Sequence, residues 1–114
     1  MMDHIRGEDR TRAKLAIIGQ FLEMLSAERG ASANTIDAYS RDLTNFAAFV
    51  NKHDRELESA TIDDITNFIT AMVEEGLAAS SRARRLSALK QFFRFLVAEG
   101  IRPDDPVLDR KSVV

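Results

Sequence analysis

Residues 80–100 read SSRARRLSALKQFFRFLVAEG, and along this stretch the apolar and the charged patterns are both sharp. Leu86, Leu89, Phe93 and Leu96 recur at steps of three, four and three, the period of a helix with one face in a core. Arg84, Ser87, Lys90, Gln91 and Arg94 fall on an arc that turns away from that stripe, while Arg82 and Arg85 lie nearer its core-side border. Between Ser80 and Arg94 there are five basic residues (Arg82, Arg84, Arg85, Lys90, Arg94) and no acidic one. The pattern describes a helix about 30 Å long with a one-signed face, and Gly100 is placed to end it.

Working outward, the same period yields three more helices. The first is expected over residues 10–29, with Leu15, Ile18, Leu22 and Leu25 as its stripe, Phe21 widening it and Gly30 as its stop. Residues 1–9 carry no period and are expected to fray. Ser32 and Asn34 each offer a side-chain oxygen to cap a second helix, TIDAYSRDLTNFAAFV over 35–50. Its stripe is Ile36, Tyr39, Leu43, Phe46 and Val50, with Arg41 and Asn45 outward. Tyr39, the only tyrosine, lies on the stripe and reads as packing rather than as a nucleophile. The polar run NKHDRELESA over 51–60 is the longest connection. Thr61 with Asp64 three residues on resembles a capping box opening a third helix, whose stripe is Ile62, Ile65, Ile69, Met72 and Val73 and whose stop is Gly76. The four residues 77–80 turn into the basic helix, and the tail IRPDDPVLDRKSVV has two prolines and no apolar period, as a linker would. No strand alternation, internal repeat or Gly-rich phosphate loop is present. The expected fold is all-α, a compact four-helix bundle over 10–102 followed by a linker over 103–114.

A chain of 114 residues with 45% apolar content suits one domain with a real core. It has no cysteine, and His4 and His53 lie far apart, so no metal site, cofactor or thiol chemistry is expected. No apolar run is long enough to span a membrane and no signal-peptide core follows the N-terminus, so a cytoplasmic location is expected. The carboxylates gather on the capped third helix, where capping and solubility explain them; no catalytic residue is assigned and the chain itself is not expected to be an enzyme. The net charge of −2 conceals a segregation: two basic against seven acidic residues from Lys52 to Glu75, then five against none from Ser80 to Arg94. A basic face on an acidic domain orients it on a polyanion. An α-helix fits the DNA major groove, Arg and Lys meet phosphates and guanine edges, and a helix N-terminus such as that at Ser80 and Ser81 favours a phosphate. The competing reading is a helical interaction module whose basic face binds an acidic protein; salt dependence and sequence preference separate the two.

Taken together, FLEMLSAERGASANTIDAYSRDLTNFAAFV (21–50) and SSRARRLSALKQFFRFLVAEGIRPDDP (80–106) resemble the N-terminal core-binding domain of tyrosine site-specific recombinases of the Xer type. The resemblance extends from about Ile17 to Pro106 and is carried by NTIDAYSRDLTNF, RRLSALKQFFRFL and the trailing DDP in that order. It implies an orthogonal four-helix, SAM-like bundle of the lambda-integrase N-terminal type, closing over one face of double-stranded DNA while a C-terminal catalytic domain grips the other. It implies DNA contacts at Asn34, Thr35 and Arg41 from the second helix and at Ser80, Ser81, Arg84, Ser87, Lys90 and Gln91 from the fourth, with Arg94 on the same arc. The family's catalytic arginines, histidine and tyrosine belong to the other domain, and Tyr39 is not that tyrosine. Implied partners are DNA, a second recombinase subunit and, through the other domain, a DNA translocase. Implied roles are chromosome-dimer resolution in chromosome segregation and cell division, or DNA integration by a phage or mobile-element integrase. The closing DRKSVV departs from the linker expected of the family.

Overall fold

Glycines follow the C-terminal ends of the first, third and fourth helices, and side-chain caps open the second and third but not the fourth. The computed structural model describes the backbone of residues 2–107 and the side chains of residues 16–107. In chain order the elements are α1 (Met2–Arg29), α2 (Ala33–Asn51), a short 3-10 turn (Leu57–Ser59), α3 (Ile62–Glu74) and α4 (Ala79–Ala98). No strand occurs among the described residues, so the fold class is all-α, as expected. The chain divides into two compact units, the first ending at Arg41 and the second beginning at Asp42. None of the described helices is long and apolar enough to cross a membrane.

The capping box at α3 forms: the Asp64 N–H donates to Thr61 Oγ1 at 3.2 Å, and the Thr61 N–H donates to Asp64 Oδ2 at 2.9 Å. At the far end Gly76 takes φ 77°, and the Leu77 N–H folds back to the Met72 carbonyl at 3.1 Å. Gly100 repeats the arrangement after α4 with φ 72° and Ile101 N–H to Leu96 carbonyl at 2.9 Å. Both close a helix through a left-handed residue, which glycine adopts without the steric cost of a Cβ. Ser32 alone caps α2, its Oγ accepting from the Thr35 N–H at 3.2 Å; Asn34 falls inside the first turn. α4 starts at Ala79 behind an N-cap alanine with no side-chain bond. α1 begins at Met2, about two turns before the expected start. Apolar period reports a packed face rather than helicity, so a helical segment with no such stripe is invisible to it.

In the first unit Ile18, Phe21 and Leu25 are buried, while Leu22, Ile36 and Tyr39 are half-buried. The second unit is built on an aromatic cluster. Phe46 of α2 meets Phe68 of α3 at 5.0 Å and Phe93 of α4 at 6.2 Å, both edge to face, and Phe92 meets Phe93 at 5.5 Å. Two expected stripes need correction. On α3, Phe68 is buried between Ile65 and Met72, whereas Val73 is 54% exposed; steps of three and four through 65, 68 and 72 define a face that leaves 73 outside. On α4, Ala88, Phe92 and Phe95 are buried besides Leu89, Phe93 and Leu96, and Leu86 is only half-buried.

The polar connection and the tail also differ from expectation. Leu57 and Ala60 are fully buried, anchoring the 3-10 turn. Arg102 reaches across to it: Nη1 donates to the carbonyls of Glu58 at 3.1 Å and Ala60 at 2.8 Å. The same guanidinium pairs with Asp104 at 3.1 Å and stands 5.2 Å from the centre of the Phe93 ring. Pro106 and Val107 are buried as well, so residues 102–107 pack into the second unit instead of leaving it at 102. Two buried residues are too few to show a period. The remainder of the expected linker, 108–114, lies outside the described residues, as do the side chains of His4 and Leu15.

Candidate nucleic-acid interface

All but one of the residues expected to face DNA on α4 share one side of it, and the exception is Ser81. Ser80, Arg84, Lys90 and Arg94 are exposed, and Ser87 and Gln91 are half-buried, with Gln91 Nε2 donating to Ser87 Oγ at 3.3 Å. At 3.6 residues per turn, Ser80, Arg84, Ser87, Gln91 and Arg94 fall within about 80° of one another, and Lys90 flanks them. Leu89, Phe92 and Leu96 occupy the opposite side, buried. From Ser80 to Arg94 the arc rises about 21 Å along the helix. Ser81, half-buried, points off this arc, about a quarter turn from Ser80. The aromatic cluster fixes the rotation of α4 about its own axis, and that rotation presents the polar arc.

The five basic residues of α4 do not stand alike. Arg82 Nη1 donates to the Leu77 carbonyl at 2.8 Å, tying down the turn before the helix. Arg84 makes a two-point contact with Asp42 of α2, Nε to Oδ2 and Nη2 to Oδ1, each at 2.9 Å. Arg85 Nε lies 3.5 Å from the same Oδ1. Asp42 is buried, and Arg84 remains 44% exposed along its side chain. One carboxylate is thus flanked by two guanidinium groups, a local surplus of a single positive charge. Lys90 and Arg94 are exposed farther along the helix.

Asp42 was not among the expected site residues. The signal was available, because 42 is three residues after Tyr39 and four before Phe46, a core position by period that an acid occupies. Arg85, likewise on the core border of its helix, is the nearer signal of a buried pair, although the two-point contact is made by Arg84. A second buried acid, Asp64, stands 2.6 Å from Arg55 Nε and closes the α3 cap, which makes it structural.

On α2 the three expected contacts lie in the first unit. Asn34 and Arg41 are exposed and seven residues apart, hence on one face about 10 Å from each other along the helix. Thr35 is half-buried, and its hydroxyl accepts a hydrogen bond from Ser32 Oγ at 3.0 Å. Among the described residues no group of three or more His, Asp or Glu side chains is placed to hold a metal ion.

Residues 18–100, a span that holds every expected contact, match the family model of the phage integrase N-terminal SAM-like domain. Curated relatives named tyrosine recombinase XerD are similar over most of this chain. That of Rhizobium meliloti (strain 1021) is 48% identical over 96 residues, covering 84% of this chain and 31% of the relative. That of Brucella abortus biovar 1 (strain 9-941) is 50% identical over 95 residues, covering 83% and 30%. The Caulobacter vibrioides protein is 40% identical over 86 residues, covering 75% and 28%. The chain therefore spans about a third of the length of the curated relatives it matches. With the all-α fold, the helix order and the matched span in agreement, the chain belongs to the phage integrase N-terminal SAM-like domain family.

Proposed function

We propose that this chain is the sequence-specific DNA-binding domain of a tyrosine recombinase, seating a recombination half-site for strand exchange by a separate catalytic domain. The observation that carries the reading is the outward arc of α4, where Arg84, Lys90, Gln91 and Arg94 stand opposite a buried aromatic face. The arc, about 21 Å long, suits a helix lying along a major groove. Exposed Lys90 and Arg94 supply phosphate contacts, which carry most of the affinity and no sequence information. Arg84 and Gln91 supply the donor geometry that reads base edges. Asn34 and Arg41 of α2 add backbone contacts from the first unit. Cleavage and rejoining belong to the catalytic domain and its tyrosine, and the chain's own part is binding and orientation. The biological setting of this reading is resolution of chromosome dimers, or integration and excision of DNA, by recombinase subunits assembled on DNA inside the cytoplasm.

The test is selection of a preferred duplex from a randomised pool by the 114-residue chain, followed by titration of that duplex and a scrambled one across salt concentrations. Affinity should fall linearly on a log–log plot against salt, and the selected duplex should bind at least about tenfold more tightly. Equal binding to every duplex, with little salt dependence, overturns the reading in favour of a module for an acidic protein partner.

A further inference from the structure

A buried carboxylate on the flank of a DNA-binding face needs a reason. Asp42 brings negative charge toward a polyanion, and an apolar side chain at this core position would pack without the cost of burying an ion. What the carboxylate does instead is geometric. Its two oxygens grip Arg84 side-on at 2.9 Å each, which sets the plane and the direction of a guanidinium lying on the outward arc of α4 and 44% exposed. Arg85, 3.5 Å away, shares the same oxygen, so the carboxylate also offsets part of the charge that two arginines would otherwise offer to any phosphate.

We propose that Asp42 is a positioning residue for DNA sequence recognition: it holds Arg84 in one orientation for base contact and damps indiscriminate phosphate binding by the Arg84–Arg85 pair. The inference rests on the DNA-binding reading above and goes beyond it, because it makes a residue that touches no DNA a determinant of specificity.

Asp42→Asn and Arg84→Lys test it, with the selected and scrambled duplexes titrated at several salt concentrations. Asp42→Asn should bind the scrambled duplex more tightly and steepen the log–log salt slope by about one. Its preference for the selected duplex should drop at least about fivefold. Arg84→Lys keeps the charge but not the two-point hold, so the slope should stay and the preference should drop by a similar factor. A merely structural Asp42 would lower affinity for both duplexes together, the opposite of the expected rise on the scrambled one. In the free chain, the Arg84 Nε–H should exchange slowly with water by NMR and become fast in Asp42→Asn. If Asp42→Asn fails to fold, Asp42→Glu, which keeps the charge but displaces the two oxygens that hold Arg84, decides the matter: its preference should drop with the salt slope unchanged. Should both variants discriminate like wild type while Lys90→Ala weakens binding, the positioning role is wrong and the DNA face stands. Should Lys90→Ala and Arg94→Ala also bind like wild type, the DNA face itself is wrong, and the inference goes with it.

Discussion

Phe93 is fully buried, meets Phe46 and Phe92 edge-on and carries the Arg102 guanidinium over its ring. Replacing it with alanine removes contacts on all three sides, and the expected loss is about 3–5 kcal/mol in a urea melt. Val73, more than half exposed, is the control: Val73→Ala should stay within about 0.5 kcal/mol of wild type. Arg102→Ala should cost about 1–3 kcal/mol, because it takes a charged donor from the carbonyls of Glu58 and Ala60 beside the buried Leu57. A melt unchanged by Arg102→Ala would mean that Pro106 and Val107 hold the tail without it.

At the scale of the element, α3 and α4 divide local from tertiary causes. Thr61 and Asp64 satisfy each other's backbone N–H groups, so Thr61→Ala should cost about 1 kcal/mol of stability. No tertiary contact is needed for that bond, and it was readable from four residues. α4 has no side-chain cap and is held by its buried face, so its exposed side is open to substitution without loss of fold. Lys90→Ala should therefore leave the melt within about 0.5 kcal/mol and lower the DNA salt slope by roughly one unit. A destabilised Lys90→Ala would show that Lys90 has a structural partner and that the arc is misassigned.

For the whole molecule, the end of the folded region is the practical question. A chain stopped after Gly100 loses the Arg102 clamp and the burial of Pro106 and Val107, and should be less stable by on the order of 3 kcal/mol. Equal melts would return the tail to the status of a linker. What the sequence determined by itself follows from short-range physics. The capping box and the stops at Gly30, Gly76 and Gly100 each depend on residues within a turn or two of one another, and the all-α class, the segregated charge and the direction of the α4 arc follow from residue order along single helices. Motif order was enough for the family. Only the tertiary structure decided that Asp42 reaches Arg84, 42 residues away, and that Arg102 reaches Ala60 at the same separation. It likewise placed Phe68 inside and Val73 outside. Helical period gives each side chain a direction but no partner. Which acid meets which arginine depends on how helices distant in sequence are brought together, and that is settled by packing of the aromatic cluster between them.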